Sequence, residues 1–235
     1  MRATGAFWTA FELVIDQRTS GSILLLNSKT MVKTLRKKYL LTKRGLDLIC
    51  SVLVIMGVLS WLLPVLALLI KLDSRGPVFF LQRRIGRGGR AFICYKLRTM
   101  VVNKEADENP VSENDVRITM IGRFLRMSHL DEMPQFFNVL MGSMSLVGPR
   151  PYMLVDNQRF SDLVPGHNFR NYVKPGITGL SQVKGFHGVV IDLQTIFSRY
   201  QWDAFYVRNA SLTLDLRILR RTTRIFFTQK IGLWR

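Results

Sequence analysis

The chain has 235 residues, 48% of them hydrophobic, with 34 Lys and Arg against 16 Asp and Glu, a formal charge of +18. That length suffices for one domain with its own core, and the charge calls for an anionic partner: nucleic acid, anionic lipid or a phosphorylated substrate. So apolar a composition is out of place in a soluble nucleic-acid binder, and two cysteines, Cys50 and Cys94, make neither a zinc site of their own nor a disulfide framework.

Residues 1–28 carry no motif beyond a short helix expected at 6–17, and Glu12 and Asp16 interrupt any signal-peptide pattern. At 29–44, Met31, Val32, Leu35 and Tyr39 recur at helical spacing, with Lys29, Lys33, Arg36, Lys37 and Lys38 between them. This pattern predicts a basic amphipathic helix, either lying on an anionic leaflet or simply solvated.

From Leu48 to Ile70 there are 23 residues without a charge. At ~1.5 Å per residue they make roughly 35 Å of helix, enough to cross a bilayer. Pro64 falls inside the run and should break or kink it. Both flanks are basic, with Lys43 and Arg44 on one side and Lys71, Arg75, Arg83 and Arg84 on the other. The positive-inside rule draws both flanks to the cytoplasm, which a single crossing cannot satisfy. Two paths stay open on these residues: a kinked transmembrane helix, or a helix–break–helix that enters the membrane and returns to the same face.

Residues 77–98 read as a β-hairpin, PVFFLQRRI and RAFICYKLR joined by Gly86-Arg87-Gly88-Gly89. The glycines open no helix and sit in no βαβ unit, so they mark a turn rather than a nucleotide loop. Period-two alternation places Phe92, Cys94, Lys96 and Arg98 on one face, with Lys96 and Arg98 as phosphate candidates. Residues 103–117 are polar and proline-interrupted, a surface loop. A short helix is expected over Ile121–Met127.

The chemistry concentrates in the stretch that follows. Ser128 has the character of an N-cap, Asp131 and Glu132 would then lie in a first helical turn, and Phe136, Phe137, Val139, Leu140 and Met141 give an apolar face that Gly142 stops. Near a helix N-terminus both acids would stay ionised. Arg126 lies five residues before Asp131, and Arg150 follows in Gly148-Pro149-Arg150-Pro151. Fixed cations around paired carboxylates suit phosphate chemistry, although acids in a first turn also serve as plain caps. Residues 152–164 look helical. His129, His167 and His187 are too scattered for a metal triad. The tail from Leu212 mixes Arg217, Arg220, Arg221, Arg224 and Lys230 with Ile218, Leu219, Ile225, Phe226 and Trp234, a second basic amphipathic surface.

Four ordered segments carry a resemblance: KRGLD at 43–47, GPVFFLQRRIGRGGRAFICYKLRTM at 76–100, SHLDEMPQFFNVLMGSMSLVGPRP at 128–151 and KPGITGL at 174–180. Together they resemble the small monotopic phosphoglycosyl transferases, the bacterial sugar transferases that load polyprenyl (undecaprenyl) phosphate for exopolysaccharide and glycan assembly. The resemblance implies an α+β, mainly helical fold. Its parts would be an N-terminal extension at 1–42, a re-entrant membrane helix at 43–72 bent at Pro64, and a cytosolic catalytic domain at 73–235 with a β-hairpin and interfacial helices. The family's break proline commonly follows a serine, whereas here Leu63 precedes Pro64.

The implied reaction moves a sugar-1-phosphate from a UDP-sugar to polyprenyl phosphate with release of UMP. Asp131 would be the nucleophile, Glu132 a Mg²⁺ ligand, and Arg126, Arg150, Lys96 and Arg98 the phosphate binders, with KPGITGL on the nucleotide side. His129 stands where the family usually has Ser or Thr. The implied partners are the donor, the acceptor and anionic lipid at the cytoplasmic face of a bacterial inner membrane, with no nucleic acid. The apolar interface helices are compatible with a homodimer. The competing classes are a non-catalytic basic membrane scaffold, which leaves the clustered acid and arginine segments without a reason, and a nucleic-acid-binding protein, which leaves the uncharged run without one.

Overall fold

A computed structural model describes residues 37–102, 115–186 and 192–232. The expected helix at 6–17, the first half of the basic segment at 29–44, the core of the 103–117 loop, His187 and Trp234 lie outside the described residues. What is described is mainly helical, with two small two-stranded sheets.

The chain stays helical from α1 (Lys37–Val54) through a π-turn (Ile55–Leu59) into α2 (Ser60–Asp73). Among the described residues this is the one helix long and apolar enough to cross a membrane, and most of its apolar window is unburied. Leu53, Met56, Trp61, Leu68 and Leu72 all face outward. The expected break does not fall at Pro64, which lies inside α2. The irregularity comes one turn earlier, where the Ser60 amide reaches back five residues to the Ile55 carbonyl. A proline ring crowds the carbonyl four residues before it, and a widened turn upstream relieves that crowding. Ser60 Oγ and Trp61 Nε1 satisfy the carbonyls of Met56 and Gly57, at 2.6 and 3.0 Å.

Both ends of this long helix are fastened to the rest of the protein. Near its start, Arg44 donates to the carbonyls of Val139 and Leu140 at 2.6 and 2.9 Å, capping a helix C-terminus. Asp47 accepts from the Leu146 amide and Ser145 Oγ, and Lys43 pairs with Asp215 at 2.8 Å. Near its end, Leu66 and Ile70 pack on Leu97 and Leu125, and Asp73 accepts from the Ile121 amide at 2.9 Å.

The hairpin is as expected. β1 (Phe79–Ile85) and β2 (Ala91–Leu97) pair antiparallel, with Gln82 opposite Cys94 and Phe80 opposite Lys96. Gly88 and Gly89 both take positive φ in the connecting turn, the conformation that favours glycine. The expected short helix is α3 (Met120–Met127), followed by α4 (Gln135–Met141).

A second sheet was not anticipated. β3 (Ser145–Val147) runs parallel to β4 (Gly176–Thr178), so the KPGITGL segment contributes a strand as well as a turn. The strands close on each other through glycines: a β-carbon on Gly176 would lie 2.1 Å from the Gly148 nitrogen, and one on Gly179 2.2 Å from the Gly148 oxygen. The expected helix at 152–164 is α5 (Leu154–Leu163); α6 (Leu180–Val183), α7 (Leu193–Asn209) and α8 (Leu212–Gly232) complete the fold. One core gathers Cys94, Val139, Met144, Val147, Val183, Tyr206 and Ile218 from six elements and one loop. A second lies between α5 and α7, around Tyr152, Phe160, Ile196 and Tyr200.

Candidate active site

The site is built on a close approach. α3 lies against the strand exit at Thr99 so tightly that a β-carbon on Gly122 would stand 1.9 Å from the Thr99 carbonyl oxygen. Glycine is therefore required at 122. One turn later on the same face, Arg126 Nε donates to Thr99 Oγ1 at 2.8 Å.

Ser128 does not start the next helix, as its chemistry suggests in isolation. It ends α3, with Oγ on the Phe124 carbonyl at 2.8 Å. His129 then takes a left-handed conformation, φ 56°, the only non-glycine residue to do so among those described. It is exposed, and its part is to reverse the chain. A single 3-10 turn, Leu130–Glu132, carries both carboxylates ahead of α4, whose N-cap is Pro134. Leu130 packs on the cluster of Leu66, Ile70, Leu97 and Leu125, which staples this turn to the long apolar helix.

Asn138, one of the most deeply buried residues, fixes α4 against the hairpin. Its Oδ1 accepts from the Tyr95 amide at 2.9 Å and its Nδ2 donates to the Ile93 carbonyl at 2.6 Å. A buried amide with both ends satisfied specifies one register. That register brings Lys96 from β2 to Glu132.

Glu132 is held from two sides. Lys96 Nζ and Arg150 Nη2 each reach its Oε1 at 2.7 Å, and Arg150 Nη1 reaches Oε2 at 3.2 Å. Burial acts to raise its pKa, but Arg150 and Lys96 outweigh that and hold Glu132 well below the usual carboxylate range. Asp131 is placed differently. It makes no hydrogen bond or ion pair among the described residues, and burial followed by the adjacent charge of Glu132 raises its pKa, against the pull of Lys96, Arg126 and Arg150. The expectation that a helix N-terminus sets the charge of both acids needs correcting in its cause. No regular helix begins there, and the local field is set by burial and by Glu132.

Arg150 is itself positioned by a network with no sequence motif. Arg170 Nη2 donates to the Arg150 carbonyl at 2.6 Å, and Arg170 pairs with Asp203 through Nη2 at 2.7 Å and Nε at 3.0 Å. Ser181 Oγ holds the other oxygen of Asp203 at 2.8 Å, and the guanidinium lies over the Tyr152 ring at 3.9 Å. Both ion-pair side chains are essentially inaccessible. Arg84 Nη1 fixes the next carbonyl, that of Pro151, at 2.6 Å.

Of the residues expected from sequence, then, Asp131, Glu132, Lys96, Arg126 and Arg150 come together. Arg98 does not join them. β2 ends at Leu97, so alternation no longer governs residue 98, and its guanidinium instead caps α2 through the carbonyls of Ser74, Arg75 and Ile70. Lys43 and Arg44 are engaged with α8 and α4, through Asp215 and through the carbonyls of Val139 and Leu140.

Among the described residues there is no group of three or more His, Cys, Asp or Glu side chains that could cage a metal. An adjacent acid pair, Asp131 and Glu132, does fit Mg²⁺ held largely by substrate oxygens and water, which needs only one or two protein carboxylates.

The family model for bacterial sugar transferases matches residues 38–229. The chain is 45% identical over 198 residues to the UDP-glucose:undecaprenyl-phosphate glucose-1-phosphate transferase of Xanthomonas campestris pv. campestris, covering 83% of this chain and 41% of that one. It is 41% identical to the UDP-N-acetylgalactosamine-undecaprenyl-phosphate N-acetylgalactosaminephosphotransferase of Aeromonas hydrophila, covering 81% and 44%. It is 40% identical to the exopolysaccharide production protein PSS of Rhizobium leguminosarum bv. phaseoli, covering 77% and 92%. The chain thus spans about two fifths of the first two relatives and nearly all of the third. With the four segments that carry the resemblance all inside the matched range, the chain belongs to the bacterial sugar transferase family.

Proposed function

We propose that this protein transfers a sugar-1-phosphate from a UDP-sugar to polyprenyl phosphate, releasing UMP, as an early membrane step in exopolysaccharide or related glycan assembly. The observation that carries the reading is the contrast within the acid pair: an Asp131 without a partner among the described residues, beside a Glu132 immobilised by Lys96 and Arg150.

In the first half-reaction, an Asp131 carboxylate oxygen attacks the β-phosphorus of the donor. The bond from that phosphorus to the bridging oxygen breaks, and UMP departs with the electron pair. In the second, a phosphate oxygen of the lipid attacks the same phosphorus and Asp131 leaves, regenerating the carboxylate and yielding a polyprenyl diphosphate sugar. Arg126 and Arg150 bind the phosphoryl oxygens, and a planar guanidinium does so with a geometry lysine lacks. Glu132, with Asp131 beside it, would hold Mg²⁺, which when bound neutralises diphosphate charge.

The acceptor has its phosphate at the interface and its tail in lipid, so the site belongs at the membrane surface. A re-entrant path for residues 43–72, on the cytoplasmic face, is supported by the fastening of both helix ends. Asp47 and Asp73 flank the apolar run, and each accepts from a backbone amide of the catalytic body. A body on one side of a hydrocarbon layer ~30 Å thick cannot hold both ends of a segment that crosses it.

The test is UMP release from UDP-sugars in the presence of polyprenyl phosphate, with UDP-glucose tried first because the Xanthomonas relative is named for it. Release should require both substrates for multiple turnovers and should vanish in Asp131→Asn. Undiminished release in that variant rejects the mechanism, and no release with any UDP-sugar rejects the function.

A further inference from the structure

A second basic site lies away from the acid pair. The hairpin turn, the C-terminal end of α4 and the loop before β4 border an open cavity of about 450 Å³, lined by Arg87, Arg90, Phe92, Gly142, Ser143 and Lys174. No acid lines it, and among the described residues none of Arg87, Arg90 or Lys174 has an ion-pair partner.

Two further features make this more than a solvated charge cluster. A β-carbon on Gly142 would lie 3.4 Å from Arg44 Nη2 and 3.5 Å from Lys174 Nζ, so two cationic heads converge over one backbone position. Arg44 is already fixed there by the carbonyls of Val139 and Leu140. Burial, then the charges of Arg44 and Arg87, push the Lys174 pKa down, with Asp47 pulling the other way. A half-buried ammonium facing two guanidiniums is a site whose energy falls when an anion enters.

This cavity is separate from the acid pair. Ala91, at its edge, is five strand residues from Lys96, roughly 16 Å at ~3.3 Å per residue, and the whole of α4 stands between Glu132 and Gly142. It is also close to the membrane segment, since Arg44 precedes the uncharged run by four residues.

The geometry points to a second phosphate-binding site in which Arg87, Arg90 and Lys174 hold a phosphomonoester, either a phospholipid headgroup at the interface or a soluble phosphate. It acts independently of the transfer reaction, and its test needs no turnover. The full chain in neutral detergent micelles is titrated with inorganic phosphate or with dioctanoyl phosphatidic acid, and binding is followed by broadening of the ³¹P resonance. Arg126→Gln serves as background, to weaken binding at the acid pair.

On that background, Arg87→Gln with Arg90→Gln should weaken the remaining binding about tenfold, the loss expected for charge-assisted bonds on a partly exposed site. Lys174→Met should do the same. Both arginines are exposed on a turn, so the fold should tolerate their exchange. Tighter binding of phosphatidic acid than of phosphate identifies a lipid headgroup as occupant, and equal binding a soluble phosphate. Binding of both ligands unchanged by the arginine pair and by Lys174→Met overturns the site.

Discussion

Asp131 and Glu132 are adjacent in the chain and opposite in their bonding. Glu132 has both oxygens engaged, by Lys96 and Arg150, while Asp131 has neither engaged among the described residues. The 3-10 turn that carries them separates the two side chains, and the cations sort them. One acid is fixed by two cations; the other is left available, its pKa raised by burial and by the neighbouring charge of Glu132.

This asymmetry predicts a shift in pH dependence with a definite sign. In the proposed mechanism Asp131 must be ionised to attack, and its pKa is raised by burial and by Glu132. The acid limb of the rate should therefore lie above the ordinary aspartate value of about 3.9. Glu132→Gln removes the like charge and frees Lys96 and Arg150 to act on Asp131. Turnover should fall about 100-fold or more through loss of a preorganised polar contact, and the surviving acid limb should move to lower pH. A pH–rate profile measured under single-turnover conditions checks this; a limb that moves upward contradicts it. A titration of Mg²⁺ in the same variant should show a weakened metal requirement.

The buried Arg170–Asp203 pair is expected to act on catalysis through Arg150. Removing one partner of such a pair leaves an uncompensated buried charge, at a cost of roughly 3–5 kcal/mol. Asp203→Asn and Arg170→Met should each lower the thermal midpoint. At a temperature where each variant remains folded, kcat should fall further than folding loss explains, because Arg170→Met removes the 2.6 Å donor to the Arg150 carbonyl and Asp203→Asn removes the carboxylate that holds that donor in place. A folded Arg170→Met variant with unchanged kcat and KM would show that Arg150 needs no such support.

Topology gives an independent check. Single cysteines placed at Tyr39 and at Arg83, in a chain with Cys50 and Cys94 replaced by serine, should both react with a membrane-impermeant thiol reagent from the cytoplasmic face. Neither should react from the opposite face. Reaction of one from each face would establish a crossing and contradict the re-entrant path.

Much of this site was legible in the sequence, and the failures have physical reasons. The hairpin was readable because two β-rich runs flank a glycine turn, and α3 because its apolar positions fall at helical spacing. The gathering of Asp131, Glu132, Arg126, Arg150 and Lys96 came from the resemblance, since local pattern favoured reading the acids as plain caps. Ser128 misled because the same hydroxyl that caps a helix start can bond the carbonyl four residues back and end one.

Arg98 misled because alternation was extended one residue past the strand. The β3–β4 pairing was invisible because its strands are three residues each, and their contact depends on glycines at 148, 176 and 179 rather than on a hydrophobic pattern. Arg170 and Asp203 are 33 residues apart, and no local rule connects them.

The central claim is a covalent step at Asp131, and direct isolation of its product tests it best. The protein is incubated with a UDP-sugar labelled in the sugar, without lipid acceptor, quenched in acid, digested and analysed by mass spectrometry. The account predicts one phospho-sugar adduct on the peptide containing Asp131, lost in Asp131→Asn and discharged by adding polyprenyl phosphate before the quench. UMP formation at full rate with lipid, by a protein that never carries label on Asp131, would contradict it.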